Sequence, residues 1–579
     1  MPVSPDVGSR FRRQRIAFFF AVPVAAFPIA AWGQAGNPIT ITPRTLAPQQ
    51  PQRDVHIEIP EGGAVRPPEG SEKLSAEIGE VEVVGGFAEL APLTAAIAAR
   101  LRNGRHTLAE IYAAASEIEA VHARAGFVLA RVSVPPQQLG GGGTLRIVVT
   151  DGFIEEVAVA GLPLRVRAPV RRATAKLVRR GHLRMQDIEQ ALVIAGNVSG
   201  LTLRSALARG QEAGGARLIL EGSHDPLAVQ ATTSNAYDPS LGRYSVSAEL
   251  SLNSLLGQGE TIYGFIAGHY DVTRLFSESS PARIVGLGIV LAPGDRRFSL
   301  NPEMALSRTR PTPSPGVPQT VGKLRRLSLR ASYALRQTRS ESTGATLAVE
   351  QIEATSDAPD FGVRLSEDRY MAARLGLSWS RVSRSGASLA GSLRISQGLG
   401  SLGAISEAQS TASAIPYSRQ GSSPDFTNVD VSASAVRPMG PFSIGIQART
   451  QATFGKPQFR SEQFSMEGDD ALSAYVGGVA TVDEGAVARV ELGPRVPISA
   501  SKAGPLIRPY VFAAGGTGRI DRPTMLEPDS IRAAAAGAGI SLTFLGPQLR
   551  ANLEYARGMS DYAPLDRADR VSFSVSLRV

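Results

Sequence analysis

The chain has 579 residues, a net charge of +9, six histidines and no cysteine. The lack of cysteine excludes disulfides, thiolate metal sites and cysteine nucleophiles, and the scattered histidines offer no pair at metal-binding spacing. Lysine and arginine form no stripe interleaved with aromatic residues, so we expect no metal, no cofactor and no nucleic-acid partner.

Residues 1–35 have the features of a secretory signal. Four arginines precede an apolar run from Ile16 to Trp32, and small residues follow at Gly33 and Ala35. A single membrane-anchoring helix is the alternative, but the run has only 17 residues and contains two prolines. The sequence therefore predicts export.

Residues 36–71 contain seven prolines, which predicts an extended linker rather than a packed core. Residues 72–161 then combine one strand, two helices and further strands, which is typical of a small α+β domain. Thr107, with Glu110 three residues later, predicts a capping box at the start of the second helix. We expect the strand Ile154–Val159 to be the last element of this domain.

Residues 162–223 predict a second small α+β domain, with two helices before two strands. Basic residues cluster on and around its first helix: Arg165, Arg167, Arg171, Arg172, Lys176, Arg179 and Arg180. We interpret this cluster as a solvated helix face, with contact to lipid headgroups or to a partner as the alternative.

Residues 224–579 alternate apolar and polar positions in about sixteen short segments, with no long apolar run. In the last segment, 570–579, Val571, Phe573 and Val575 share one face while serine and arginine occupy the other. One face suits lipid and the other a wet lumen. The pattern predicts a transmembrane β-barrel of about sixteen antiparallel strands.

The connections in this region fall into two classes that alternate along the chain. Tight turns are predicted at 255–259, 292–295, 384–386, 438–441 and 546–547, and long connections between them include 355–367, 399–426 and 454–484. Short turns at one end and long loops at the other are typical of an outer-membrane barrel. A soluble β-sandwich is the alternative, but it does not segregate loop lengths in this way.

No catalytic motif is recognisable. The chain lacks a nucleophile elbow, a zinc-protease motif, a phosphate loop and a calcium loop with acidic residues at ligand spacing. Residues 467–470 include two adjacent aspartates, which we interpret as solvated rather than as a cation site. We therefore expect a protein that is not an enzyme.

Several segments carry a family resemblance. Residues 125–130 (AGFVLA), 134–137 (VPPQ) and the closing Gly161 resemble the polypeptide-transport-associated (POTRA) domain of two-partner secretion transporters. These are the haemolysin and filamentous-haemagglutinin exporters of the Omp85 superfamily. Residues 252–260 resemble the first periplasmic turn of that family, and residues 461–468 resemble the segment leading into its sixth extracellular loop.

The resemblance implies a loop that folds back into the lumen. Family members carry Val-Arg-Gly-Tyr/Phe in this loop, and its arginine pairs with an aspartate in a Phe-x-Asp-x-Gly pattern on the barrel wall. This chain has Leu472-Ser473-Ala474-Tyr475 at the loop position and Ala514 at the aspartate position. Both partners of the ion pair are thus replaced, which is physically coherent because one unpaired charge in a partly buried lumen is costly. A misalignment of a few residues is the alternative.

The function implied by the resemblance is export of one large secreted exoprotein in unfolded form across the outer membrane, with the small domains in the periplasm. We expect Gly126, Phe127, Pro136 and Gln137 to shape a dock for the cargo, by an exposed strand edge or a groove. The lipid of the outer membrane is the other expected partner, and no nucleotide is expected. The alternatives are a factor that inserts other barrels into the membrane and a passive porin-like channel.

Overall fold

The computed structural model describes residues 56–58 and 67–579, except residues 140, 295, 314–317, 477, 479–480, 495, 498–505, 526, 545–547, 563–564 and 566. The predicted signal, 1–35, lies outside the described residues. Of the predicted linker, 36–71, only residues 56–58 and 67–71 are described.

The first part of the chain forms two small α+β domains. Their elements, in chain order, are β1 His56–Glu58, β2 Ser75–Gly85, α1 Ala91–Ala99, β3 Gly104–Thr107, α2 Leu108–Arg124, β4 Arg131–Ser133, β5 Gly143–Thr150, β6 Phe153–Gly161, α3 Leu164–Thr174, α4 Met185–Gly196, β7 Leu201–Arg209 and β8 Gly215–His224.

The first small domain is a four-stranded sheet, in the order β3-β2-β5-β4, covered by α1 and α2. Its core joins Ile111 and Ile118 of α2 to Leu145 and Ile147 of β5, all at most 1% exposed. The predicted capping box is confirmed, since the Glu110 backbone N–H donates to Thr107 Oγ1 at 3.2 Å and the Thr107 N–H donates to Glu110 Oε2 at 2.8 Å.

The second small domain has a four-stranded sheet in the order β1-β7-β8-β6. Strand β6 pairs in parallel with β8 of this sheet, so the prediction that residues 154–159 complete the first domain is wrong. The error arises because parallel pairing joins strands that are distant in sequence, and the local pattern does not show the partner. Strand β1, from the predicted linker, pairs in parallel with β7 at the edge of the same sheet.

A closed antiparallel barrel follows. Its strands, and the short strands of the loops and turns between them, are β9 Leu227–Ser234, β10 Ser245–Asn253, β11 Thr261–His269, β12 Ala282–Val290, β13 Phe298–Thr309, β14 Val321–Gln337, β15 Glu341–Ala358, β16 Val363–Val382, β17 Ser388–Leu399, α5 Glu407–Ser413 (a loop helix), β18 Thr427–Met439, β19 Phe442–Ala452, β20 Phe464–Ser465, β21 Thr481–Val482, β22 Glu484–Pro494, β23 Val496–Pro497, β24 Leu506–Arg519, β25 Ser530–Thr543, β26 Gln548–Ser560 and β27 Arg567–Arg578.

Over the described residues the barrel has sixteen staves, with β22 and β23 forming one stave, and β27 closes on β9. The predicted barrel of about sixteen antiparallel strands is thus confirmed. Side chains alternate between an inner and an outer face, as on β24, where Tyr510 and Phe512 point inward and Val511 is 57% exposed on the outer face. None of the described helices is long and apolar enough to cross a membrane.

The barrel has a near end, next to the small domains, and a far end. Among the described connections, near-end turns are short and far-end connections are mostly long, as the sequence predicts. The predicted turn 546–547 lies outside the described residues. The predicted long connection 355–367 is wrong: β15 and β16 continue through most of it and are joined by a single 3-10 turn at Pro359–Phe361. Polar residues lie at these strand ends, as where Ser356 pairs with Ser366, and they gave the segment its loop-like composition.

Arg296 joins the second small domain to the barrel at a near-end turn. Its guanidinium donates to the carbonyls of Gly259 at 3.1 Å and of Asn197, which follows α4, at 3.3 Å. Burial lowers the pKa of Arg296 to about 10, so the side chain keeps its charge at neutral pH. Ser254 Oγ also donates to the Arg165 carbonyl at 2.9 Å, which places part of the basic cluster against the barrel.

We expect Arg296→Gln to loosen this contact. The change removes the hydrogen-bond donors that reach both the second small domain and the barrel turn. Amide hydrogen exchange in the turn 254–259 should therefore accelerate by about tenfold. Mass spectrometry of exchanged peptides measures this. Arg339→Gln, at another near-end turn, is the matched control, and equal acceleration in both variants would contradict the assigned role.

Candidate functional site

A long loop between β19 and β22 turns back into the barrel lumen. Its strands β20 and β21 pair as a short antiparallel ladder, and residues 472–475, called here the loop tip, pack against the inner wall. Leu472 and Ser473 are fully buried and Tyr475 is 2% exposed. The loop therefore fills part of the lumen, and its predicted residues Ser473, Ala474 and Tyr475 lie together at the tip.

Arg489, on the inner face of β22, is the wall residue that contacts the tip. Its Nη1 donates to Ser473 Oγ at 3.0 Å, and its Nη2 pairs with Glu554 Oε2 at 2.5 Å. Nε pairs with Glu491 at 3.0 Å, and the guanidinium lies 3.6 Å from the ring centre of Phe512. The positive charge that contacts the loop tip is therefore Arg489 of the barrel wall, and the wall carboxylates Glu554 and Glu491 balance it.

Ala514 lies directly beside this contact. In the ladder between β22 and β24 it is paired with Arg489, and it is 8% exposed. The small side chain on β24 leaves the space beside Arg489 free of a carboxylate, and Glu554 supplies the negative charge from β26 instead. Positions 473 and 514 both lack a charge, as expected from the sequence. An ion pair is nevertheless present beside the tip, and it is formed by Arg489 and Glu554.

A second arginine holds the backbone of the tip. Arg570 Nη1 donates to the carbonyls of Ser473 and Tyr475 at 3.1 and 3.2 Å. The ring of Tyr475 lies over Gly558, where an added Cβ would stand 2.7 Å from Tyr475 Cζ. Glycine at 558 is therefore required by the close approach of the tip.

The segment leading into the loop is attached by an ion pair of its own. Glu462 accepts from Arg374 Nη2 at 2.6 Å and Nη1 at 3.0 Å, and from the Tyr370 hydroxyl at 2.8 Å. Here the loop carries the carboxylate and the wall carries the arginine. A bidentate ion pair of this kind fixes the orientation of the two side chains as well as the distance between them.

Asp483, at the end of the loop, collects donors from three far-end connections. It pairs with Arg419 from the 400–426 connection and accepts from the backbone N–H of Gln458 at 3.0 Å and of Asp521 at 2.7 Å. Both Asp483 and Arg419 are almost fully buried. These bonds tie the far-end loops to one another above the loop tip.

The four residues predicted to shape a cargo dock lie in the first small domain but do not converge. Phe127 is 3% exposed and stacks on Phe87 at 4.1 Å. The Gly126 carbonyl accepts from the Met185 N–H at 2.8 Å, so Gly126 joins the two small domains. Gln137 brackets the backbone of Arg146, accepting from its N–H and donating to its carbonyl, while Pro136 is exposed.

A side chain satisfies one backbone donor of the β4 edge, and a groove between the helices is open. The Val132 N–H donates to Glu119 Oε2 at 3.0 Å, which satisfies an edge donor. An open groove of about 690 Å³ runs between the helices. It is lined by Leu90, Leu93, Ala96, Ile97, Arg100, Glu117, Val121, Arg124 and Ala125. Ala125, at its margin, precedes Gly126 directly.

Sequence reasoning missed Arg489, Glu554 and Arg570. Strand alternation could have placed Arg489 and Glu554 on inner faces, because each sits between outward apolar neighbours. It could not have matched them to the loop, since that contact joins residues far apart in the chain. No group of residues that could hold a metal ion is found in the described part of the chain.

The fold and the loop inside the lumen define a class: Omp85-type barrels preceded by POTRA domains. Residues 77–152 match the family model "POTRA domain, ShlB-type". Residues 214–544 match "Haemolysin secretion/activation protein ShlB/FhaC/HecB", which is more than half of the chain. The chain therefore belongs to the ShlB/FhaC/HecB family of two-partner secretion transporters.

Solved structures agree on the fold. CdiB from Escherichia coli is 18% identical with a TM-score of 0.66, over 92% of this chain and 93% of that one. CdiB from Acinetobacter baumannii is 14% identical with a TM-score of 0.58, over 87% and 90%. BamA from Haemophilus ducreyi lacking POTRA domains 1–3 is 13% identical with a TM-score of 0.50, over 87% and 100%. No curated protein sequence matches the chain significantly.

We expect Ser473→Arg alone to destabilise the loop tip, because a second guanidinium would meet Arg489. The double variant Ser473→Arg with Arg489→Ser moves the single cation from the wall to the loop, within reach of Glu554, and should restore the contact. Ser473→Arg with Ala514→Asp should also be tolerated, because it adds a carboxylate beside Arg489.

Protease cleavage within the loop and the temperature at which the barrel loses its compact electrophoretic form measure these effects. Ser385→Arg, at an exposed near-end turn, controls for the added charge. If the transposed double variant behaves as poorly as Ser473→Arg, the tip is not held through Arg489 and Glu554.

Proposed function

We propose that this transporter resides in the outer membrane, with its small domains in the periplasm, and exports a large secreted exoprotein of the haemolysin or adhesin type. Membership of the ShlB/FhaC/HecB family, over 214–544, carries the proposal. The predicted signal at 1–35 supports export of the transporter itself. In this proposal the exported chain passes through the lumen unfolded, since the loop already fills part of that space.

We place the cargo dock in the groove between α1 and α2. The groove is lined by apolar side chains such as Leu93 and Val121, and the ion pair Arg100–Glu117 is part of the same lining. Such a surface binds apolar side chains of an extended segment. In this proposal the predicted residues Gly126, Phe127, Pro136 and Gln137 act by shaping the domain. Phe127 stacks on Phe87 in the core, and Gln137 fixes the chain after β4 by its two hydrogen bonds to Arg146.

Folding of the exoprotein outside the cell supplies the direction of transport. The sequence has no phosphate-binding motif, and the proposed mechanism uses no nucleotide. Displacement of the loop tip opens the lumen, and the bonds broken there are hydrogen bonds from Arg489 and Arg570 to neutral acceptors on the loop.

A barrel insertase of the same superfamily is the second candidate, favoured by the likeness of the fold to BamA. The two functions predict different losses. An exporter is needed by one exoprotein, whereas an insertase is needed by many barrels.

The decisive experiment deletes the gene and measures two things: secretion of the large exoprotein encoded beside it, and assembly of other outer-membrane proteins. We expect the exoprotein to be retained in the cell while other barrels assemble normally. Normal secretion with defective barrel assembly would favour the insertase, and no effect on either would favour a passive channel.

We expect Leu93→Glu to reduce secretion of the exoprotein by about tenfold, because a charge in the groove opposes the binding of apolar side chains. Leu93 is 55% exposed, so the barrel level should be unchanged. Leu164→Glu is the matched control, since Leu164 is 78% exposed on α3 of the second small domain. Equal secretion by the two variants would contradict the groove as the dock.

A further inference from the structure

Arginines are concentrated along one part of the near end of the barrel, from β14 to β18. Five lie there: Arg336, Arg339, Arg381, Arg384 and Arg437, all of them exposed. Within the described residues, the ion pair in this group is that of Arg336 with Glu341 at 3.3 Å. Arg381, Arg384 and Arg437 form no ion pair among the described residues, although Glu341 lies opposite Arg381 in the ladder between β15 and β16. Five arginines and one carboxylate leave the patch cationic.

Two of these arginines end apolar rows on the outer face. Arg381 follows Leu377 and Trp379 at alternate positions of β16, and these two are 46% and 38% exposed. Arg437 follows the exposed Val431 at alternate positions of β18. Because side chains at alternate positions share a face, each guanidinium stands where the outer apolar surface reaches the near-end boundary.

The turn between β16 and β17 carries Arg384 and lies between the outer apolar rows of β16 and β18. An added Cβ at Gly386 would lie 3.4 Å from Pro438 Cγ, so this turn packs against the near end of β18, beside Arg437. Arg381 lies just before the turn. Arg381, Arg384 and Arg437 therefore surround one short segment of the rim.

Trp379 fixes the level of this segment relative to the membrane. Its indole N–H donates to Glu341 Oε1 at 3.2 Å, and tryptophan is enriched where the apolar core of a bilayer meets the headgroups. Arginine stems extend along apolar surface and place the charged group at headgroup level. Guanidinium groups above an apolar row match the chemistry of a phosphate above acyl chains.

We propose that Arg381, Arg384 and Arg437 form a binding site for an anionic phospholipid of the leaflet at the near end. Their guanidinium groups bind the phosphate, and the outer rows that include Leu377, Trp379 and Val431 contact the acyl chains. A free phosphate ion would bind the arginines but would make no contact with the apolar rows. A phospholipid contacts both, so we expect the site to prefer a lipid. The proposal is independent of the exported cargo.

Trp379 itself reports on the site. The chain has two tryptophans, Trp32 and Trp379. Trp32 lies in the predicted signal, so Trp379 is the single indole fluorophore once the signal is cleaved, and Trp32→Phe makes it so in protein that retains residues 1–35. We would reconstitute this protein into phosphatidylcholine vesicles containing a small fraction of lipid brominated on its acyl chains, either phosphatidylglycerol or phosphatidylcholine. Bromine quenches an indole that it contacts, and the two titrations give relative association constants at Trp379.

We expect brominated phosphatidylglycerol to associate about fivefold more strongly than brominated phosphatidylcholine at low salt, with a smaller preference at high salt. Arg381→Gln with Arg437→Gln should reduce the preference to near unity. Arg532→Gln with Arg557→Gln removes two exposed arginines near the far end and is the matched control that should retain it.

Equal quenching by the two lipids in the Trp32→Phe protein would overturn the proposal. It would equally be overturned if the preference survived in the Arg381/Arg437 variant. Loss of the preference on adding inorganic phosphate, but not on adding sodium chloride to the same ionic strength, would show a simple anion site rather than a lipid site. Native circular dichroism of each variant establishes that the barrel is folded.

Discussion

The structure depends on closing the barrel, because a strand edge exposed to lipid would leave backbone groups without partners. The closure between β27 and β9 is a short ladder of five residue pairs, whereas β26 and β27 share twelve. Asn235 extends the closure with its side chain, donating to the Val571 carbonyl at 2.7 Å and accepting from the Phe573 N–H at 2.9 Å. Arg570 then binds both the Asn235 carbonyl and the carbonyls of the loop tip. The loop in the lumen and the closure of the barrel therefore share one side chain.

Charge is distributed so that the two ends of the loop are attached with different strength. At the tip the loop offers a hydroxyl and backbone carbonyls, and the charges belong to the wall. When the tip leaves, Arg489 keeps Glu554 and Glu491 as partners, so its buried charge stays paired. The nearest ion-paired charge on the loop is Asp470, which lies 3.6 Å from Arg449 on the wall. At Glu462 the charge belongs to the loop: separation from Arg374 would remove the loop carboxylate from its ion-pair partner in a buried setting, while Arg374 keeps Glu350. The tip can therefore move while the base of the loop stays on the wall.

Local sequence patterns were sufficient to predict those elements that are determined by residues close together in the chain. Alternation predicts the barrel strands, and Thr107 with Glu110 predicts the start of α2. The strand Phe153–Gly161 was assigned to the wrong domain because its partner, β8, lies more than fifty residues later. The replacement of the loop arginine by Ser473 was readable from the sequence, but the compensating Arg489 and Glu554 were not, because they lie on separate strands and are matched to the loop only by the folded register.

Coverage of the strand edges bears on how cargo is recognised in the small domains. β1 occupies the edge of β7, and at the β4 edge Glu119 satisfies Val132 while Gln137 brackets the backbone of Arg146. Binding of a cargo strand at the β4 edge or at β7 would first have to break these bonds, whereas the groove between α1 and α2 is open. Recognition through the groove reads apolar side chains, while recognition at an edge reads mainly the backbone, which every protein shares. A transporter dedicated to one exoprotein gains more selectivity from the groove, and this is the physical reason to place the dock there.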